Sequence, residues 1–343
     1  MAEGGADPDL KALGEWLGDT LPGFAGPVTL EKFNSGQSNP TYRLGTATGD
    51  YVLRRKPPGE LLKSAHAVDR EFRVQKALAG SDVPVARMYA LCEDESVIGS
   101  VFYVMELVHG RNFTDPRLGE VDRETRADIY DEMNRVLAAI HGIDLEARGL
   151  SDYGAAGNYY RRQIDRWTKQ YRASETGTIP AMDELIAWLD ANVPEDDGRR
   201  TLVHGDYRID NLLFAADGPR CVAVLDWELS TLGHPFADLA ALIMQWQLPP
   251  GTEGRGLAGV DRAALGLPED TDFIDAYCGR MGLPGIPDFG FYLAFAFFRM
   301  GAILQGVKKR ALDGNASNPE LGLRLGAAVP EYGAGGLKAA KGG

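Results

Sequence analysis

The chain reads as an α+β protein in which short antiparallel strands come first and amphipathic helices follow. Two observations carry this expectation. β-Prone runs at 28–33, 41–46, 51–55, 88–93 and 101–107 crowd the first third of the sequence. Beyond residue 120 apolar side chains recur at helical spacing instead, as with Ile129, Met133, Val136, Leu137 and Ile140.

Taken in order, runs 41–46 and 51–55 are joined by the turn-forming Ala47-Thr48-Gly49-Asp50 and predict a hairpin. Between the first two runs lies Asn34-Ser35-Gly36-Gln37-Ser38-Asn39. Its small polar side chains would let backbone N–H groups approach phosphate oxygens, with a plain hairpin loop as the competing reading. Strand alternation puts Val52, Arg54 and Lys56 on one face and Tyr51, Leu53 and Arg55 on the other. Segment 65–78 carries Val68, Phe72, Gln75 and Leu78 at helical intervals, and 121–141, 158–172 and 181–191 predict further helices. His141 is read as structural. Later, 212–214 and 221–225 flank Ala215-Ala216-Asp217-Gly218-Pro219, a second hairpin that would present Asn211 and Asp226 together at one end. Pro235-Phe236-Ala237-Asp238 opens another helix. The apolar stretch 289–307 is interrupted by Arg299, Gly301 and Gln305 and is read as a buried helix, since membrane spans need about 20 mostly apolar residues. Residues 1–9 and 333–343 are rich in Gly and Ala without apolar period, so flexible ends without chemistry are expected.

Composition narrows the class. The 343 residues are 44% hydrophobic, enough for a sizeable core, and 36 basic against 49 acidic residues give a net charge of −13. That balance argues against nucleic acid or an anionic membrane as partner. Cys92, Cys221 and Cys278 have no paired or metal-ligand spacing, and the first residues carry no secretory pattern, so a cytoplasmic setting is expected. A homodimer is left open.

The chemistry concentrates in His204-Gly205-Asp206-Tyr207-Arg208-Ile209-Asp210-Asn211 and in Val224-Leu225-Asp226-Trp227-Glu228. Transfer of a terminal phosphoryl group needs positioning and charge neutralisation more than covalent help. Asn211 and Asp226 suit Mg²⁺, which prefers oxygen ligands, and Asp206 remains free to take a proton from an acceptor hydroxyl. A hydrolase metal site drawn from His204, Asp206, Asp210, Asp226 and His234 is the competing reading.

On these motifs the chain resembles the aminoglycoside phosphotransferase and choline kinase family of small-molecule kinases, over roughly residues 30–309. His204, Asp206 and Asn211 match the family's catalytic loop, and Asp226 its metal-binding Asp. Leu53-Arg54-Arg55-Lys56-Pro57-Pro58-Gly59, the catalytic loop and Leu225-Asp226-Trp227-Glu228 more closely resemble kinase-like domains joined to acyl-CoA dehydrogenases. The resemblance implies a bilobed protein-kinase-like fold, with a small antiparallel-sheet lobe bearing one helix and a larger helical lobe. Residues 1–107, including an N-terminal helical extension, would bind nucleotide; 108–343 would hold the catalytic and acceptor-binding parts and a flexible C-terminal tail.

It further implies ATP and Mg²⁺ as cofactors and a small-molecule hydroxyl compound as acceptor. Ser35, Gly36, Gln37 and Ser38 would lie over the phosphates. Arg54 stands where the family has a Lys, with Lys56 as the other candidate, and Glu71 would pair with it across the sheet. Backbone groups near Glu106 and Val108 would meet the adenine edge. Arg208 would offset phosphate charge unless it serves only a surface ion pair, Asp238 would brace the catalytic loop, and Glu228 offers a second metal or acceptor contact. Arg54 and the Asp226-Trp227-Glu228 triplet also leave room for a nucleotide-binding regulator with weak catalysis.

Overall fold

The computed structural model describes residues 8–33, 39–57, 67–251, 255–316 and 318–342. Its strands are β1 Thr29–Lys32, β2 Thr41–Thr46, β3 Gly49–Arg55, β4 Met88–Cys92, β5 Phe102–Glu106, β6 Thr201–Val203, β7 Leu212–Phe214, β8 Cys221–Val224 and β9 Thr231–Gly233. Its helices are α1 Leu10–Thr20, α2 Val68–Leu78, α3 Arg123–His141, α4 Tyr159–Ala173, α5 Pro180–Ala191, α6 Phe236–Trp246, α7 Arg262–Leu265, α8 Asp270–Met281, α9 Phe289–Leu312, α10 Pro319–Ala327 and α11 Val329–Ala340. The chain divides into two compact units, one of Met1–Phe113, Asp144–Leu150 and Asp210–Ser230, the other of Thr114–Ile143, Ser151–Ile209 and Thr231–Gly343.

The first unit is built on a five-stranded antiparallel sheet in the order β1-β2-β3-β5-β4. Alternation gives the sheet two apolar faces, each covered by a helix. On one, Leu44, Leu53, Phe102 and Val104 meet Leu13 and Leu17 of α1, the N-terminal helical extension, and Leu21 just after it. Asp9 starts that helix by accepting from the backbone N–H groups of Lys11 and Ala12 at 2.9 and 3.1 Å. On the other face, Val101 and Tyr103 pack against Val68 and Phe72 of α2. Arg54 also belongs to that face, with Thr41 and Tyr103 as its neighbours in register across the sheet.

The antiparallel ribbon of β7 and β8 belongs to this unit as well. The backbone of Phe214 exchanges hydrogen bonds of 2.7 and 2.8 Å with Arg111, and Val224 N–H donates to Pro84 O at 2.8 Å. Gly110 permits that approach, because a Cβ there would stand 2.5 Å from Phe214 O. A division at 107/108 therefore differs from what is observed. The ribbon returns to the N-terminal unit because its backbone bonds are made there.

In the second unit the 24-residue helix α9 is central, with Phe291 to Phe298 continuously buried and α4, α5, α6, α10 and α11 packed around it. Its length and composition would suit a membrane span, yet its apolar middle is enclosed by these helices. The expected flexible C-terminal tail is corrected: α11 is a helix docked on α5 and α9. Its glycines serve close packing rather than freedom. A Cβ on Gly333 would stand 3.0 Å from the Ala181 Cβ, and one on Gly335 would stand 2.7 Å from the Phe297 ring.

Candidate active site

Arg54 is the hub of the first unit's polar face. Its Nε lies 2.9 Å from Glu71 Oε2, and its Nη2 lies 3.2 Å from Asp226 Oδ1 and 3.5 Å from Glu228 Oε2. Nη1 donates to Thr41 Oγ1 at 3.3 Å. Glu71 is 1% exposed and accepts hydrogen bonds from Asn39 Nδ2 at 2.8 Å and Tyr103 OH at 3.1 Å. Burial raises the Glu71 pKa; Arg54 pulls against this, while Asp226 and Glu228 add to the rise. Burial works to lower the Arg54 pKa, but Glu71, Tyr103, Asp226 and Glu228 together carry it above its ordinary value. The guanidinium is thus a fixed charge whose Nη2 edge is turned to Asp226 and Glu228. Lys56, the other candidate, lies 3.6 Å from Asp69 instead.

Asp226 follows β8 in a left-handed conformation, φ 61° and ψ 63°, uncommon for a non-glycine residue and characteristic of functional turns. The turn is secured by Trp227, 1% exposed, whose Nε1 donates to Val224 O at 2.9 Å. Leu225 N–H donates to Asn211 O at 2.8 Å, so the ribbon end carries Asn211 beside the residue that precedes Asp226. An amide oxygen and a carboxylate with one-third of its surface exposed are oxygen donors of the kind a hard cation such as Mg²⁺ prefers. Among the described residues no three His, Cys, Asp or Glu side chains gather as a metal site.

Asp206 and Arg208 stand in the second unit, on the loop after β6, with Arg208 Nε 3.1 Å from Asp206 Oδ2. Gly205 takes φ 85°, which a glycine allows without strain. The loop is held from beneath by Asp238 at the start of α6, whose carboxylate accepts from His204 N–H at 2.6 Å and Gly205 N–H at 2.8 Å. Arg299 Nη2 donates to Gly205 O at 3.1 Å, and Tyr207 OH to Met133 O at 2.7 Å. His141 is fixed between Tyr277 OH at 2.7 Å and Asp238 Oδ2 at 3.3 Å. Burial would raise the Asp238 pKa, but the hydrogen bond and charge of His141, with contributions from His204, lower it.

Of the remaining expected residues, Ser35, Gly36, Gln37 and Ser38 lie outside those described. Glu106 ends β5 with its N–H on Arg87 O at 2.9 Å and its side chain on Arg87 N–H at 3.1 Å, and Val108 is half-buried two residues on. Three positioning residues escaped the sequence reading. Asn39 and Tyr103 hold Glu71, and Asn112 Nδ2 brackets Asn211 by donating to Asp210 O at 2.8 Å and Leu212 O at 3.0 Å. The alternation that places Arg54 on the α2 face places Tyr103 there too, a signal that could have found it. Asn39 and Asn112 sit in loops without any periodic signal.

A strand base tied to a helix carboxylate beside the ribbon's acidic turn, on an antiparallel sheet accompanied by a helical unit, is the kinase-like fold of small-molecule phosphotransferases. The chain belongs to the phosphotransferase enzyme family (APH), which it matches over residues 29–277. It is 51% identical to a Ralstonia eutropha protein of solved structure classed provisionally as an aminoglycoside phosphotransferase, covering 97% of this chain and 98% of that one with a TM-score of 0.90. A thermostable mutant of aminoglycoside phosphotransferase APH(4)-Ia, solved in ternary complex with ADP and hygromycin B, shares the fold at 17% identity, with a TM-score of 0.63 over 98% of this chain and 99% of that one. Acyl-CoA dehydrogenase family member 10 of Mus musculus is 50% identical over 294 residues, 85% of this chain and 27% of that protein. The chain thus spans about a quarter of that relative's length.

Proposed function

We propose that this chain is an ATP- and Mg²⁺-dependent phosphotransferase that moves the γ-phosphate to a hydroxyl of a small molecule. The observation that carries the reading is Arg54, anchored by Glu71 and directed at Asp226 in the unit that also bears Asn211. Asn211 and Asp226 would hold Mg²⁺, which when bound supplies charge neutralisation to the phosphates. Arg54 would contact phosphate oxygens, and the backbone near Glu106 and Val108 would meet the adenine edge. Asp206 would accept the proton of the acceptor hydroxyl while that oxygen bonds to the γ-phosphorus and the bond to the ADP oxygen breaks. Arg208 would offset charge on the group in flight.

Acyl-CoA dehydrogenase names among the relatives support hydroxyacyl thioesters as the first acceptors to try. Cys92, Cys221 and Cys278 are buried and joined by no disulfide, which is compatible with the cytoplasmic setting we propose. The test is ADP release from ATP and Mg²⁺ with a panel of hydroxyacyl thioesters, amino alcohols, sugars and aminoglycosides. Acceptor-dependent release that Asp206→Asn lowers on the order of 10²-fold or more is expected. Nucleotide binding without transfer to any panel member would favour the regulator reading, and equal turnover in the variant would remove Asp206 as base.

A further inference from the structure

Asp226 carries two demands. Its Oδ1 lies 3.2 Å from Arg54 Nη2, and the same carboxylate is the one the phosphotransferase reading assigns to the metal. Glu228 Oε2 stands 3.5 Å from that same Nη2. The turn that bears both carboxylates is fastened in several places: Trp227 Nε1 to Val224 O at 2.9 Å, Ser230 Oγ to Trp227 O at 2.5 Å, and Arg70 Nη2 of α2 to Ser230 O at 3.4 Å. Glu228 therefore approaches Arg54 from a fixed base, one turn residue beyond the buried indole. A lysine ammonium is a point charge on a flexible stem. A planar guanidinium can keep Nε on Glu71 while its far nitrogen exchanges one carboxylate for another.

We propose that Glu228 is a positioning residue: it takes the Nη2 end of Arg54 and so releases Asp226 to the divalent ion, with Glu71 holding the Nε end throughout. This rests on the phosphotransferase reading and adds to it the reason an arginine can serve at position 54. Glu228 acts through Arg54 and touches neither metal nor nucleotide. With Glu228 neutralised, Arg54 competes with the cation for Asp226. With Arg54 also removed, that competition disappears.

The test is Mn²⁺ binding in the presence of ADP, followed by electron paramagnetic resonance of the free ion, on the full chain, Glu228→Gln, Arg54→Met and the double variant. Glu228→Gln should weaken Mn²⁺ about tenfold, as loss of one charge-assisted contact does. The double variant should bind Mn²⁺ within about twofold of Arg54→Met alone, because the two changes act through one contact. Arg54→Lys, which keeps a cation on buried Glu71, replaces Arg54→Met in the cycle if the methionine chain does not fold. A tenfold loss that persists in the double variant would make Glu228 a direct ligand and overturn the inference. Unchanged Mn²⁺ affinity in Glu228→Gln would overturn it too. Either result leaves the phosphotransferase reading standing, whereas a wild-type chain that binds neither ADP nor Mn²⁺·ADP overturns both.

Discussion

Removing Glu71 should unfold the first unit far more readily than removing its charge alone. The carboxylate is 1% exposed and meets one cation, Arg54 at 2.9 Å, and two hydrogen-bond donors, Asn39 at 2.8 Å and Tyr103 at 3.1 Å. Glu71→Gln keeps the volume and gives up the charge-assisted contact with Arg54, worth about 1.5–3 kcal/mol. Arg54 still has Asp226 and Glu228, so its own charge is not stranded. Glu71→Ala also takes the carboxylate acceptor away from Asn39 Nδ2 and Tyr103 OH, on residues 0% and 1% exposed. Each buried donor without an acceptor costs about 1–3 kcal/mol. Burial already raises the Glu71 pKa, so part of its desolvation cost returns on removal, which argues for the low end of each range. The expected losses are about 2 kcal/mol for Glu71→Gln and about 4 kcal/mol for Glu71→Ala, the latter within the span of about 3–5 kcal/mol seen when one member of a buried pair is removed. Urea unfolding at 25 °C, followed by circular dichroism without nucleotide, measures both. If both variants lay within about 1 kcal/mol of the parent chain, the account of Glu71 as partner to one cation and two hydrogen-bond donors would be refuted.

Other expectations follow from single contacts. Asn112→Ala should raise the Mg²⁺ concentration that transfer requires about tenfold, as loss of outer-shell support does, and an unchanged Mg²⁺ titration would count against the bracket around Asn211. Burial, opposed by Asp197, lowers the His234 pKa below its ordinary 6.5. The unfolded chain then binds the proton more readily, so stability is lost as pH falls below about 6.5 and through the folded value. His234→Phe keeps the aromatic packing against Tyr292 and should flatten that slope in melts taken across the range. Gly290→Ala would set a Cβ 2.5 Å from Ala339 O and should cost about 1–3 kcal/mol; proteolysis appearing first within α11 would locate the damage.

The Arg54 to Glu71 pairing was legible from the family resemblance, and two simple periods agree with it. Alternation selects the α2 face of β3, and helical spacing sets which side of α2 is apolar. What holds Glu71 was harder to see. Tyr103 reaches it because β5 lies beside β3, an ordering written in no spacing, and Asn39 is one polar residue of a loop read for phosphate contact. The second hairpin was readable, yet its membership of the N-terminal unit was not, since that depends on backbone bonds to Pro84 and Arg111 that carry no side-chain signature. At the C-terminus, composition misled. Glycine and alanine are what a flexible tail uses, and also what helices use to approach closely, and Gly333 and Gly335 do the latter.

The buried indole after Asp226 has an implication for control. Trp227 is wedged into the interior and its N–H is committed to Val224 O, so rotating the neighbouring acid away would first require extracting a large side chain and abandoning that bond. A molecule wired like this is poorly suited to being turned off by flipping its acidic turn.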